Sequence, residues 1–290
     1  CSTDPQTGLE VRWEGIEYLD FPTVEWVVYL KNTGKQDTPV LEDIQGLALQ
    51  LTRPADTEFI LHYHTGGHSG PRDYEPLQES LGPDSEKEFT TWGGFPTANN
   101  LPFFNLQWQS EGIILGLGWP GMWAARFQRD GKTGLSIRIG QEHTHLKLQP
   151  GEEIRSPLMV LQFWKGDRIQ AQNTWRRWMI AHNLPRPGGV LPAPMLAGIS
   201  TGDADLALQS EENQKIFLDA YQKREIPIQY WWIDAGWNPN KGNTWQDLLG
   251  TWEPDPKRFP HGLRAVSEVV HRRGMKMILW FEPERVVKDS

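Results

Sequence analysis

The chain holds a single cysteine, Cys1, among its 290 residues. With no second thiol an internal disulfide is excluded, and bonding carries no information about redox compartment. Apolar runs stay well short of the roughly eighteen residues that a membrane-spanning helix needs, so no span is expected. Basic runs are also missing, and the formal net charge is -8. Without a positive face to neutralise phosphates, nucleic acid drops out as a partner. Cys1 itself has two readings: the lipid-modified first residue of a processed bacterial lipoprotein, or simply the point where the sequence starts. Localisation stays open, bacterial cytoplasmic or exported.

What is present in excess is tryptophan, fifteen residues. Flat indole faces stack well on the C–H faces of sugars. The competing explanation is packing in a β-sandwich core, which is expected to take more than half of them. The length allows a large core and suggests two domains.

From Leu9 to about Phe163 short apolar alternations are separated by turn residues, as in Val24-Glu25-Trp26-Val27-Val28-Tyr29-Leu30 followed by Asn32-Thr33-Gly34. Such spacing predicts strands, with others at 59–63, 103–107, 112–117, 134–139 and 158–163, and an antiparallel sandwich over 1–164. The period then changes. Residues 167–182 read as a helix, and Pro185-Arg186-Pro187-Gly188-Gly189 reads as the end of a helical linker spanning 165–192. Beyond it come a strand at 195–199, a helix at 211–224, a strand at 228–233, a helix at 264–273 and a strand at 276–280. This β-α-β-α-β order predicts parallel strands with right-handed crossovers.

Two of these strands end in the same chemistry. Tyr230-Trp231-Trp232-Ile233-Asp234-Ala235-Gly236-Trp237 is an apolar run closed by a carboxylate, a glycine turn and a tryptophan; Met275 to Phe281 breaks into Glu282-Pro283-Glu284-Arg285. Acids at the carboxyl ends of parallel strands mark the active face of a β/α barrel. A full eight-stranded barrel takes about 250 residues, so 193–290 is read as its first three βα units and the sequence as the front of a longer protein. The fold class expected is thus a multidomain β and α/β chain, an antiparallel β-supersandwich followed by an incomplete TIM (β/α)8 barrel.

Four motifs in order carry a resemblance: Trp231-Trp232-Ile233-Asp234-Ala235-Gly236-Trp237, Gly250-Thr251-Trp252-Glu253-Pro254-Asp255, Phe259-Pro260-His261-Gly262-Leu263 and Leu279-Trp280-Phe281-Glu282-Pro283-Glu284. Together they resemble glycoside hydrolase family 36, the α-galactosidases and α-N-acetylgalactosaminidases, specifically from about Met195 onward and more loosely over the sandwich. The resemblance implies retaining hydrolysis of a terminal α-linked galactose-type sugar by two carboxylates about 5 Å apart, without a cofactor. It also implies that both catalytic aspartates lie beyond Ser290, so that no catalytic residue is expected in this chain. An α-galactoside or α-N-acetylgalactosaminide is the implied partner, and family habit points to a homotetramer. A carbohydrate-binding pseudoenzyme is the rival from another class.

On that resemblance Asp234 holds sugar hydroxyls, with capping a loop or pairing with an arginine at the barrel rim as its bland alternatives. Ala235 stands where the family places a second aspartate, which opens the question of N-acetylgalactosamine. Trp252 is expected as one wall of the pocket, and Trp237 is evenly balanced between wall and core. Glu282 and Glu284 either meet the substrate or orient other groups, or pair with Arg285 or Arg258. On the first barrel strand Ile199-Ser200-Thr201-Gly202-Asp203 replaces the usual tryptophan, and Asp203 is a candidate polar substitute. His62, His64 and His68 with Asp73 have the spacing of metal ligands, but a loop reaching over a neighbouring site is the preferred explanation and no metal is expected. His143 and His145 repeat the spacing within ordinary strand alternation.

Overall fold

The segment Trp123–Arg129 shows why the first half of the chain becomes sheet. Trp123, Ala125, Phe127 and Arg129 are buried while the residues between them face outward, the period-two pattern of a half-buried strand. In the computed structural model, residues 1–67, 70–199, 203–241, 244–283, 285–288 and 290 are described, those at 203–205 by their backbone alone. The chain divides into two compact units, Cys1–Leu184 and Pro185–Ser290.

Among the described residues the first unit has a nine-stranded antiparallel sheet and a four-stranded one. The larger runs Ser2–Thr3, Leu9–Tyr18, Thr23–Asn32, Leu158–Lys165, Glu111–Gly118, Phe103–Trp108, Phe59–His64, Pro76–Leu81, with Glu153–Arg155 also on Thr23–Asn32. The smaller is Gln45–Thr52, Gly134–Gln141, Trp123–Arg129 and Glu86–Thr90. Their inner faces share one core, in which Phe59, Leu61, Leu106, Leu115, Phe127 and Ile137 are completely buried. Aromatic rings meet edge-on there, Phe104 to Phe127 at 5.3 Å and Phe104 to Trp123 at 6.0 Å.

The tryptophan expectation needs correction. Trp123 alone lies within this core, with Trp26, Trp108 and Trp119 at its margin. Indole is too large and too polar at nitrogen for an interior that branched aliphatics and phenylalanine fill better. The helix begins at Asp167, whose carboxylate caps it by accepting from the Gln170 amide at 2.9 Å. It runs Arg168–Trp178, continues as a π-turn over Met179–Asn183, and buries Ala171 and Trp178. Ala171 and Trp175 pack on Ile114 and Trp164 of the large sheet. The stretch anticipated as a linker therefore belongs, as far as Leu184, to the first unit.

In the second unit the strands Ala197–Ile199, Tyr230–Ile233 and Lys276–Leu279 pair in parallel in that order. The helices Glu211–Lys223 and Gly262–Arg272 connect them. Ser210 caps the first helix by accepting from the Asn213 amide at 3.1 Å. Trp231 and Ile233 point to the helix side, where they pack with Leu218, Val266 and Val270. Trp231 Nε1 donates to Gln214 Oε1 at 2.8 Å, which ties the strand to its helix. This βαβαβ winding is that of a (β/α)8 barrel. No helix among the described residues is long and apolar enough to cross a membrane.

Candidate functional site

Alternation sets where Asp234 goes. Since Trp231 and Ile233 face the helices, Trp232 and Asp234 take the other face at the carboxyl end of the middle strand. The side chain is half-buried. One oxygen, Oδ1, accepts from the Ala235 amide at 2.7 Å; the other makes no hydrogen bond among the described residues. Trp280 follows the neighbouring strand, and its amide donates to the Ile233 carbonyl at 3.0 Å, so it extends the register beside Asp234.

Four aromatic rings assemble next to these strand ends. Trp252 lies 6.0 Å from Trp237, 5.9 Å from Trp280 and 5.3 Å from Phe281, ring centre to ring centre. Trp245 meets Trp280 edge-on at 5.3 Å, and the Arg285 guanidinium sits 5.6 Å above the Trp245 ring. Trp237 is 1 % exposed and its indole N–H donates to the Trp280 carbonyl at 3.0 Å. Its place is therefore in the packing beneath the cluster. Trp252 is only partly buried, and Phe281 is exposed. A ring held from behind with a face left open is what stacking on an apolar ligand surface requires.

The loop carrying these groups is fastened by Arg258, which the sequence had offered only as an ion-pair partner for Glu282 or Glu284. Its guanidinium donates to the carbonyls of Gln209 at 2.7 Å and Asn238 at 2.6 Å, to that of Gly236, and to Asp255 Oδ2 at 3.2 Å. Burial pushes the Asp255 carboxyl up, but the amides of Arg258 and Lys257 and the guanidinium outweigh it and hold it below its ordinary value. Gly236 permits the turn itself, with φ of 87°. A methyl group there would stand 1.8 Å from the Leu206 carbonyl oxygen.

The remaining candidates separate. Glu282 is buried and forms an ion pair with Arg285, so of the two anticipated arginines it is Arg285 that meets it, while Arg258 takes Asp255. Asp203 opens the short 3-10 turn Asp203–Leu208; its side chain, together with Ser200, Thr201, Gly202 and Glu284, lies outside the described residues. Ala235 is 1 % exposed. His62 and His64 share a face of the strand Phe59–His64, and burial pushes both imidazoles down toward the neutral form. His68 lies outside the described residues, and among these no group of three or more side chains is arranged to hold a metal ion.

The chain thus joins a sandwich unit to the first βα units of a barrel, whose strand ends bring together a carboxylate with one free oxygen and several indoles. The melibiase family pattern matches residues 208–290. Over 282 residues the chain is 24 % identical to α-galactosidase Mel36A of Lactobacillus acidophilus, covering 94 % of this chain and 37 % of that protein. The α-galactosidase structure from Lactobacillus brevis superimposes with a TM-score of 0.78 at 20 % identity, over 99 % of this chain and 38 % of its own. That of the family 36 α-galactosidase AgaA from Geobacillus stearothermophilus also gives 0.78, at 20 % identity over 99 % and 40 %. The chain is similar to these α-galactosidases in sequence and fold, and it spans about two fifths of their length.

Proposed function

We propose that this protein removes terminal α-linked galactose by the retaining two-carboxylate route, and that the strand ends around Asp234 supply part of the pocket for that sugar. The observation that carries the reading is Asp234: a half-buried carboxylate with one oxygen uncommitted, beside partly open indoles. A sugar hydroxyl would donate to that oxygen while a C–H face lies on Trp252. A hydrogen bond to an ionised acid contributes about 1.5–3 kcal/mol, enough to separate galactose from glucose by one to two orders of magnitude. Glu282, held by Arg285, is placed to orient other groups by hydrogen bonding. Trp237 acts from beneath by fixing Trp252. Neither catalytic role is assigned to a residue of this chain. The relatives support the substrate class: AgaA variants from Geobacillus stearothermophilus are seen in complex with stachyose and with raffinose.

N-acetylgalactosamine is less well supported as the sugar, because the methyl of Ala235 is buried and opens no room for an acetamido group. Assay of the whole protein on 4-nitrophenyl α-D-galactopyranoside and its 2-acetamido counterpart separates the readings. Release from the galactoside is expected with retention of configuration and a kcat/KM at least about tenfold the higher. Binding of galactose without release from either would replace the enzyme by a sugar-binding protein.

A further inference from the structure

Trp245 stands on the loop between Trp237 and Trp252, and that loop is held at both ends. Asp247 Oδ2 accepts from the Lys241 amide at 3.2 Å, and Asn238 Nδ2 donates to the Leu248 carbonyl at 3.3 Å. Leu249 is 1 % exposed, and its carbonyl accepts from the Val287 amide at 2.9 Å. Register then gives the indole its place. Ile233 pairs with Leu279, so Trp280 continues the third strand beside Asp234. Trp245 meets Trp280 edge-on, with 5.3 Å between ring centres and 90° between planes. Trp280 thus intervenes between this ring and the strand end. A sugar bound at Asp234 lies against Trp280 and Trp252, and Trp245 is reached by whatever is joined to that sugar.

Arg285 gives this indole a polar neighbour. Its guanidinium lies 5.6 Å over the Trp245 ring, and its Nε pairs with Glu282. The acid's side chain is 4 % exposed and the arginine's 43 %, so the pair runs from the interior outward. Glu282 fixes the inner edge of the fork, and the two terminal nitrogens have no hydrogen bond among the described residues. Trp245 itself is half-buried. A wholly apolar ligand would leave those N–H groups unpaired, and a bare anion would gain nothing from the ring. A molecule that carries both C–H faces and hydroxyls satisfies the two together.

We propose that Trp245 and Arg285 bind the leaving-group sugar, the residue next to the terminal galactose, and so select oligosaccharides over substrates with a small leaving group. The inference rests on the hydrolysis proposed at Asp234. Its test compares two substrates of the whole protein: raffinose, which presents a sugar to this side, and α-D-galactopyranosyl fluoride, which presents a single atom. Trp245→Ala should lower the ratio of kcat/KM for raffinose to that for the fluoride by at least about tenfold, chiefly through the KM for raffinose. Trp245→Phe, which keeps an aromatic face, should recover part of that ratio. Arg285→Lys retains the charge beside Glu282 but not the planar fork, and should lower the ratio by about fivefold. This second variant decides the matter if Trp245→Ala loses its thermal transition. A ratio unchanged in the folded variants, or equal losses on the two substrates, overturns the proposal. An unaltered protein that turns over neither substrate contradicts the hydrolysis reading itself, and this inference falls with it.

Discussion

Replacing Arg258 by methionine is expected to lower the stability of the second unit by about 3–5 kcal/mol, the range seen when one member of a buried ion pair is removed. The reason lies in what the guanidinium leaves behind. Asp255 is 8 % exposed and would remain as a buried carboxylate without its cation. The carbonyls of Gln209, Gly236 and Asn238 would lose a donor together. These acceptors lie in the segment before the first helix and in the loop after the middle strand, so one side chain closes both onto the rim. Arg258→Lys should recover little, because an ammonium cannot reproduce a planar fork aimed at several oxygens. Removing Asp255 as well, in an Arg258→Met, Asp255→Leu double variant, should restore part of the loss, since the unpaired charge disappears with it. Urea denaturation measures the stability, and hydrogen exchange over 234–241 locates the effect. A change under about 1 kcal/mol for Arg258→Met would show that the loop holds itself.

Gly236→Ala should cost about 3 kcal/mol or more and remove sugar binding with it. Two penalties combine. The φ of 87° belongs to the left-handed region, where a Cβ costs roughly 1–2 kcal/mol. That Cβ would also fall 1.8 Å from the Leu206 carbonyl oxygen, a backbone atom that cannot swing aside as a long side chain can. Relief requires moving the turn, and the turn begins directly after Asp234. Gly262 provides the control. Its φ is 66° but nothing lies within 4 Å of where an added methyl would sit, so Gly262→Ala carries the conformational cost alone, about 1 kcal/mol. Comparable losses at the two positions would mean that the Leu206 contact gives way easily.

The parts of this molecule that were legible in its sequence are those governed by short-range periodicity. The run Tyr230 to Ile233 is too apolar for an edge strand and ends at Asp234, so strand, end and acid could be read together. The helix expected over 211–224 is present as Glu211–Lys223. Glu86–Thr90 was not legible, because a strand on the rim of the smaller sheet carries charged residues outward and shows only Phe89 to the core. The anchoring role of Arg258, read only as a partner for Glu282 or Glu284, was missed for a deeper reason. Its partners Gln209, Gly236 and Asn238 stand 49, 22 and 20 residues away, and they are bound through carbonyl oxygens, which every residue has. The single local trace was Asp255 three residues before it, a spacing shared with many surface pairs. Trp237 shows the opposite limit: sequence left it evenly balanced between wall and core, and only packing could put it beneath Trp252.

The sugar reading rests on the uncommitted oxygen of Asp234, and calorimetric titration of galactose into the unaltered protein and its Asp234→Asn variant tests it most directly, with glucose titrated in parallel. The account predicts that the variant, equally stable, binds galactose about 10- to 100-fold more weakly and no longer distinguishes it from glucose. Unchanged galactose affinity in Asp234→Asn, with the preference over glucose intact, would contradict it.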